Sequence, residues 1–160
     1  MVGVGLDGEV ARKVCNSRRG TFRQRHYCLP TMATLLGYKF HRASLTIDGE
    51  KITDDATFIQ VANTWKYGGP MVLVPQADRS DGMLDVLLVE KCSRLRYLWY
   101  LMQSAILKRV KDRGVRYFKG RRVLIESDSD VPCQVDGDYC GSLPMEIEIV
   151  PDSVRIVVNP

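Results

Sequence analysis

The 160-residue chain is long enough for one domain with its own hydrophobic core, and its 45% hydrophobic and 26% charged composition is that of a globular protein. Its apolar runs fall well short of the roughly 20 residues that span a bilayer, so we predict no membrane-spanning helix. A net charge of +4 permits an anionic partner, whether nucleic acid, lipid or a phosphate-bearing ligand, without choosing among them. The first residues lack the pattern of a secretory signal, and we expect a cytoplasmic protein.

The first third of the chain predicts one strand followed by two helices. Glycines alternate with apolar residues before Asp7-Gly8, and residues 9–15 then place apolar side chains on one face of a helix. Residues 22–36 repeat apolar side chains at three- and four-residue steps, with an interruption at Pro30 and an end at Gly37.

The middle of the chain changes to the two-residue period of strands. Asp48-Gly49 predicts a hairpin turn, because both central positions of such a turn favour residues that adopt positive φ. Three strands are predicted up to residue 90, at 57–63, 71–74 and 83–89, with loops at 65–70 and 75–80 between them.

One long helix is predicted over residues 94–111, with Ser93 as its N-cap and Gly114 beyond its end. Its apolar residues recur at helical spacing and predict the stripe that packs on the core: Leu95, Leu98, Trp99, Met102, Ala105, Ile106 and Val110. Only strands follow, at 115–118, 121–126, 133–135, 139–149 and 154–158. The pattern therefore predicts a mainly β single domain over residues 1–160: an antiparallel β-sandwich with one long inserted helix and short N-terminal helices.

The same helix is rich in cations and aromatic residues, which leaves two interpretations open. The residues concerned are Arg94, Arg96, Lys108, Arg109 and Lys111, beside Tyr97, Trp99 and Tyr100. They suit a surface for anionic lipid headgroups. They also suit a core-packed amphipathic helix whose C-terminal cations complement its dipole.

The segment Cys133-Gln-Val-Asp-Gly-Asp138 predicts a second hairpin, with Asp136-Gly137 as its two-residue loop. In that register Val135 lies opposite Asp138 and Cys133 lies opposite Cys140. Asp138 then shares an apolar, partly buried face, where desolvation would move its pKa toward the range of a general base. The alternative is an ordinary hairpin with a solvated acidic tip.

The turn Asp78-Arg-Ser-Asp-Gly-Met83 offers a carboxylate and backbone carbonyls, which are ligands that suit Mg²⁺ or Ca²⁺. The alternative is a solvated turn. Nucleophilic Ser-His or Cys-His chemistry is not indicated around His26 or His41, and the zinc-hydrolase and P-loop motifs are absent from the sequence. The five cysteines lack the paired spacing of a zinc site, and we expect them to be reduced thiols: Cys15, Cys28, Cys92, Cys133 and Cys140.

Several separated motifs, taken in order, resemble the C-terminal half of the diacylglycerol kinase and sphingosine kinase type of lipid kinase. They are Val61-Ala-Asn63, Tyr67-Gly-Gly-Pro-Met-Val-Leu-Val-Pro75, Asp81-Gly-Met-Leu-Asp-Val86 and Gln134-Val-Asp-Gly-Asp138, followed by Pro144 and Val150-Pro151. The opening Gly3-Val-Gly-Leu-Asp7 looks like the start of that half.

The resemblance implies a two-domain enzyme in which an α/β domain with a Gly-Gly-Asp-Gly loop binds ATP and a C-terminal β-sandwich helps to bind the lipid. The sequence has no Gly-Gly-Asp-Gly, so we expect it to be the C-terminal domain without the nucleotide-binding domain, and inactive alone. The implied partners are a lipid alcohol at a membrane surface, ATP and the protein's own N-terminal domain, with no nucleic acid. Peripheral membrane attachment and a homodimer are further expectations.

The resemblance also assigns roles to the acidic residues. Asp81 matches a side-chain ligand of Mg²⁺, with Asp78 and Met83 in carbonyl positions. Asp138 matches the proton acceptor and Asp136 the aspartate beside it. The family motif usually ends in glutamate, and the shorter Asp138 leaves open which of the two is the base. Two other functions also remain open: a non-catalytic lipid- or partner-binding sandwich, and a kinase of the NAD-phosphorylating type.

Overall fold

The computed structural model describes residues 1–16, 28–68, 70–151 and 153. These residues form three helices: α1 (Leu6–Asn16), α2 (Cys28–Gly37) and α3 (Arg94–Ile106). They also form eleven strands: β1 (Val2–Val4), β2 (Ala43–Ile47), β3 (Glu50–Ala62), β4 (Lys66–Gly68), β5 (Met71–Val72), β6 (Leu84–Glu90), β7 (Val115–Gly120), β8 (Arg122–Glu126), β9 (Pro132–Val135), β10 (Asp138–Ser142) and β11 (Met145–Glu148). None of the helices in the described ranges has the length and apolar character needed to cross a bilayer.

The long strand β3 joins two layers of antiparallel strands. Its first half pairs with β2, which leads on to β8 and β11. Its second half lies between β1 and β6, and these lead on to β9 with β10 and to β7. The sheet thereby folds back on itself and is nearly closed. This arrangement confirms the predicted mainly β, antiparallel sandwich with an inserted helix.

The core consists of two clusters on opposite faces of the sheet. Strand β6 is buried almost throughout because its alternate side chains enter different clusters. Val86 and Leu88 point between the two layers, whereas Leu87 and Val89 lie in the cluster that contains helical residues such as Leu35 and Tyr97. The helices therefore cover the outer face of one layer.

Most of the predicted elements are present. The Asp48-Gly49 turn has φ of 49° and 84°, as a hairpin turn with two positive φ values requires. Ser93 caps α3 by accepting a hydrogen bond from the backbone N–H of Arg96. Part of the predicted helix at 22–36 and the predicted strand at 154–158 lie outside the described residues. The predicted loop at 65–70 was wrong, since it contains β4.

The predicted packing face of α3 is correct only in part. Leu98 packs against the core, and Val110, beyond the helix, is buried. The buried residues of the helix itself are Tyr97, Tyr100, Gln103 and Ser104, whereas Leu95, Trp99, Met102 and Ile106 are exposed. Polar and aromatic side chains thus form most of the buried face, and an apolar stripe faces outward.

The cysteines follow the expectation of free thiols where their side chains are described. Cys92 and Cys133 are buried, and Cys15 and Cys140 are exposed. Burial raises the pKa of the Cys133 thiol to about 12, so this side chain stays protonated and behaves as a small apolar group.

Helix α1 packs directly against the start of β9 through Gly8. A Cβ at this position would lie 2.5 Å from the backbone N of Cys133 and closer still to the carbonyl group of Pro132. The carbonyl oxygen of Pro132 also accepts a hydrogen bond of 2.9 Å from the N–H of Gly5. Backbone therefore meets backbone here, and no flexible side chain is available to move away.

We predict that Gly8→Ala destabilises the protein by about 3 kcal/mol, because the added methyl group must push helix and strand apart. The measurement is the free energy of unfolding in urea. Gly37→Ala is the matched control, since a Cβ at Gly37 would have no atom of the described residues within 4 Å. The control should change stability by less than about 1 kcal/mol. Equal stability of the two variants would contradict the close approach at Gly8.

Candidate active site

The predicted hairpin between β9 and β10 is present, with a two-residue loop. Asp136 and Gly137 have φ of 50° and 94°, and Val135 lies opposite Asp138. Both loop positions need positive φ, which glycine and aspartate tolerate better than most residues. The sequence therefore located this turn correctly.

The register of the hairpin changes after Tyr139. Gly141 lies opposite Cys133, so the predicted pairing of Cys133 with Cys140 is wrong. Cys140 occupies a bulge, and Gly141 has φ of 110°, a conformation that glycine adopts readily. One extra residue in β10 explains the change.

Two hydrogen bonds from backbone N–H groups fix the loop in place. The N–H of Asp136 donates to the carbonyl oxygen of Met1 at 2.9 Å, and the N–H of Gly137 donates to Gln134 Oε1 at 2.6 Å. The loop is thus tied to β9 and to the residue just before β1.

Both candidate carboxylates on this hairpin are exposed. Asp136 and Asp138 lie at the surface, and Val135 opposite Asp138 is 40% exposed. The prediction that Asp138 occupies a partly buried apolar face is therefore wrong. The structure places the two acids together on a fixed turn, but it does not desolvate them.

The buried carboxylate near this hairpin is Asp7, in the first turn of α1, which the sequence did not single out as a site residue. Asp7 Oδ2 accepts a hydrogen bond of 2.6 Å from Tyr67 Oη, and Oδ1 accepts one of 2.7 Å from Tyr97 Oη. Burial raises the pKa of Asp7, and the two tyrosine hydrogen bonds oppose this shift. The signal available in the sequence was the glycine-rich strand immediately before it.

The side chains of Asp7 and Gln134 both lie close to Gly3 in β1. A Cβ on Gly3 would lie 2.6 Å from Gln134 Nε2 and 2.9 Å from Asp7 Oδ2. Gly3 is therefore needed so that both side chains can cross β1. Gln134 Oε1 in turn accepts the N–H of Gly137, so the Gln134 side chain lies between Gly3 and the turn.

A polar cleft of about 300 Å³ lies beside α1, α2 and the start of β9. Arg12 lies 2.5 Å from Glu9 on the same helix and 3.4 Å from Asp130 on the segment before β9. Its lining also contains Lys13, Lys39, His41 and the buried Thr34, whose Oγ1 has no hydrogen bond among the described atoms. The cleft suits a polar group rather than an acyl chain.

The second predicted site is the turn before β6. Asp81 Oδ1 accepts the N–H of Met83 at 2.9 Å, and Asp78 Oδ1 accepts the N–H of Ser80 at 2.9 Å. Asp81 Oδ2 lies 2.5 Å from Lys119 Nζ, and this ion pair, with the Met83 hydrogen bond, lowers the pKa of Asp81. The turn is thus held by its own carboxylates.

Asp85, which the sequence did not mark as a ligand, adds a buried carboxylate at this site. Both of its oxygens are buried and lack a hydrogen bond of normal geometry to the described residues, and Lys119 Nζ lies 3.6 Å away. Burial raises its pKa, against the opposing charge of Lys119. The ammonium group therefore occupies a position between two carboxylates, where a cation is electrostatically favoured.

These oxygen donors fit a hard divalent cation by their chemistry. Clusters of three or more His, Cys, Asp or Glu side chains are nonetheless not found among the described residues. A divalent ion bound here would therefore depend on backbone carbonyls and water for part of its coordination.

The two candidate sites lie at the same end of one layer. Val86 pairs with Val61, Val61 with Val2, and Val2 with Val135, which lies opposite Asp138. Four strand spacings separate β6 from β10, which corresponds to about 19 Å. The sheet brings the sites to one edge without placing them in contact.

We predict that Asp7→Asn changes how stability depends on pH. The raised pKa means that folded Asp7 holds its proton above the ordinary value of 3.8, whereas the unfolded chain loses it there. The free energy of unfolding should therefore fall as the pH rises above about 4, and this fall should be smaller in Asp7→Asn.

The measurement is urea unfolding between pH 4 and pH 8, with Asp54→Asn as the control. Asp54 is an exposed carboxylate paired with Lys51 at 2.8 Å, and its replacement should leave the pH dependence close to that of the unmodified chain. Identical slopes for Asp7→Asn and the unmodified chain would contradict the assignment.

Comparison with known proteins places these features in a family. A diacylglycerol kinase of Mycobacterium tuberculosis is 29% identical over 154 residues, covering 96% of this chain and 49% of that protein. A Bacillus subtilis protein named as the lipid kinase YtlR is 28% identical over 162 residues. The match covers 97% of this chain and 52% of that protein. The chain thus spans about half the length of the curated relatives it matches.

Solved structures show the same fold. One is a structure from Bacillus anthracis whose description contains the words diacylglycerol kinase. It superposes with a TM-score of 0.65 at 20% sequence identity, and the match covers 94% of this chain and 50% of that chain. Residues 1–158 match the model of a family described as the YegS C-terminal NAD kinase beta sandwich-like domain. The chain therefore belongs to the YegS C-terminal, NAD kinase β-sandwich-like domain family.

Proposed function

We propose that this chain is the C-terminal domain of an ATP-dependent lipid kinase that phosphorylates the hydroxyl group of a diacylglycerol-like lipid. The observation that carries the proposal is the fixed Asp136-Gly137-Asp138 turn in a chain whose relatives are named as lipid kinases. In phosphoryl transfer the protein mainly positions the reactants and stabilises charge, while a carboxylate accepts the hydroxyl proton. An exposed carboxylate on an anchored turn suits that role.

Asp138 is the proposed base, and Asp136 is the proposed turn former. Asp136 sits at φ of 50°, where aspartate is explained by the conformation of the turn itself. Asp138 is the first residue of β10, directly after the turn. The turn conformation accounts for aspartate at 136, and Asp138 is the residue proposed for the chemistry.

ATP is proposed to bind mainly to an N-terminal nucleotide-binding domain joined to this chain. That domain would correspond to the half of the relatives that this chain does not span. The lipid hydroxyl would approach Asp138 at the edge of the sheet. This chain alone is expected to be inactive.

In the full-length kinase we expect Asp138→Asn to lower kcat by about 10²–10⁴-fold, because the variant removes a general base. Asp136→Asn is the matched control, since asparagine also tolerates positive φ and should preserve the turn with less than about tenfold loss. Asp138→Glu should keep activity within about tenfold. The measurement is ATP-dependent phosphorylation of diacylglycerol in mixed micelles.

An unchanged kcat in Asp138→Asn would reject Asp138 as the base. The assay also includes sphingoid base, phosphatidylglycerol and NAD as acceptors, with the 160-residue chain as the negative control. Phosphorylation of NAD alone would favour the NAD kinase type instead. If no acceptor is phosphorylated, the result would favour a non-catalytic binding module.

Mg²⁺ is proposed to bind at the turn before β6, with the Asp81 side chain and the carbonyl groups of Asp78 and Met83 as ligands. The buried Asp85 carboxylate adds negative charge beside it. A bound ion would stiffen the turn. Lys119 competes with the ion for this position, because its ammonium group contacts Asp81.

We expect MgCl2 to raise the melting temperature of this chain, by about 2–4 °C for each kcal/mol of binding linkage. Asp81→Ala should abolish the rise in melting temperature. Lys119→Gln should make the rise occur at lower Mg²⁺ concentration, because the competing ammonium group is removed. Asp54→Ala is the control, because Asp54 forms a similar exposed pair with Lys51. The same Mg²⁺ dependence in Asp81→Ala as in the unmodified chain would reject the site.

A further inference from the structure

The outer face of α3 exposes a continuous apolar stripe. Leu95 is 80% exposed, Trp99 49% and Ile106 69%, and Met102 lies between them on the same side of the helix. Leu107, just past the helix, extends the stripe. Contiguous apolar surface of this kind on a folded protein marks a site of interaction.

The stripe is flanked by cations. Residues 91–113 contain seven lysine and arginine side chains and one carboxylate, Asp112, which pairs with Arg96 at 2.7 Å. This segment therefore carries more net positive charge than the +4 of the whole chain. Within the described part of the chain, Lys108, Arg109 and Lys111 form no ion pair with a carboxylate.

We propose that α3 docks this protein on an anionic membrane, lying in the plane of the interface with its apolar stripe at the acyl boundary. The cations at its ends would then contact phosphate groups of the lipid heads, and Trp99 would sit at the depth that tryptophan favours. Thirteen residues give a helix of about 20 Å, too short to span a core of about 30 Å. The buried Tyr97 and Tyr100 hold the opposite side of the helix to the protein.

A lipid surface accounts for the combination of features better than a protein partner does. The apolar residues form a single row, and the cations gather at the helix ends with Asp112 as the one carboxylate of the segment, which is the pattern of an interfacial helix. The proposal does not depend on phosphoryl transfer, because vesicle binding is measured without ATP. A failure of either proposal therefore leaves the other standing.

The first experiment is co-sedimentation of the 160-residue chain with phosphatidylglycerol and with phosphatidylcholine vesicles. We expect binding to phosphatidylglycerol that weakens as salt is raised. Ile106→Ser should weaken it by about tenfold, since a buried isoleucine side chain is worth that much. Val150→Ser is the matched control: Val150 is 66% exposed but lies outside α3, and binding should be unchanged.

The second experiment tests the cations. Arg109→Glu with Lys111→Glu should weaken binding to phosphatidylglycerol vesicles by about tenfold or more, because each cation near an anionic surface contributes to attraction. Lys51→Glu with Arg121→Glu removes the same number of exposed cations elsewhere and is the control. Equal weakening by both pairs would show charge attraction without a docking face, and would overturn the proposal.

The third experiment reports insertion directly. Trp65 and Trp99 are the two tryptophans of the chain, so Trp65→Phe leaves Trp99 as the single fluorophore. Its emission should shift to the blue on phosphatidylglycerol vesicles and be quenched by brominated lipid. Unshifted, unquenched emission would overturn the proposal. So would a result in which Ile106→Ser converts a dimer to a monomer and leaves vesicle binding unchanged, because a second copy would then cover the stripe.

Discussion

The buried carboxylate of Asp7 links three parts of the fold that are far apart in the chain. It belongs to α1 and accepts hydrogen bonds from Tyr67 in β4 and Tyr97 in α3. A carboxyl group taken out of water needs such partners, and the two hydroxyl groups supply one hydrogen bond to each oxygen. The helices α1 and α3 and the small β4–β5 sheet are therefore held together by a polar centre as well as by apolar packing.

The orientation of α3 follows from that centre. Tyr97 must face inward to reach Asp7, and there it also packs edge-on against Phe58 with ring centroids 5.5 Å apart. The helical period then carries Tyr100 and Ser104 to the same side and turns Leu95, Trp99 and Ile106 outward. The apolar spacing of the sequence predicted that leucine and isoleucine side chains of α3 face the core. It could not show that Asp7, far away in the chain, would hydrogen-bond to Tyr97 and so turn the tyrosine face inward.

Local turn chemistry was predictable, and long-range surroundings were not. Asp48-Gly49 and Asp136-Gly137 were recognised because a two-residue hairpin needs positive φ at both positions. The bulge at Cys140 and the exposure of Asp138 depend on how many residues pair across β9 and β10 and on what covers them. Asp85 escaped notice for the same reason, since its burial arises from β6 lying between two covered faces of the sheet.

The exposure of Asp138 bears on how the proposed kinase would work. A general base is most effective when its pKa lies near the working pH, and a carboxylate reaches that range through desolvation. This chain fixes the position of the acid but leaves it in water, so the lipid and the nucleotide-binding domain must exclude solvent when they assemble around the turn. In the proposed kinase, the β-sandwich would supply the fixed turn, and assembly with the lipid and the nucleotide-binding domain would supply the low-dielectric surroundings.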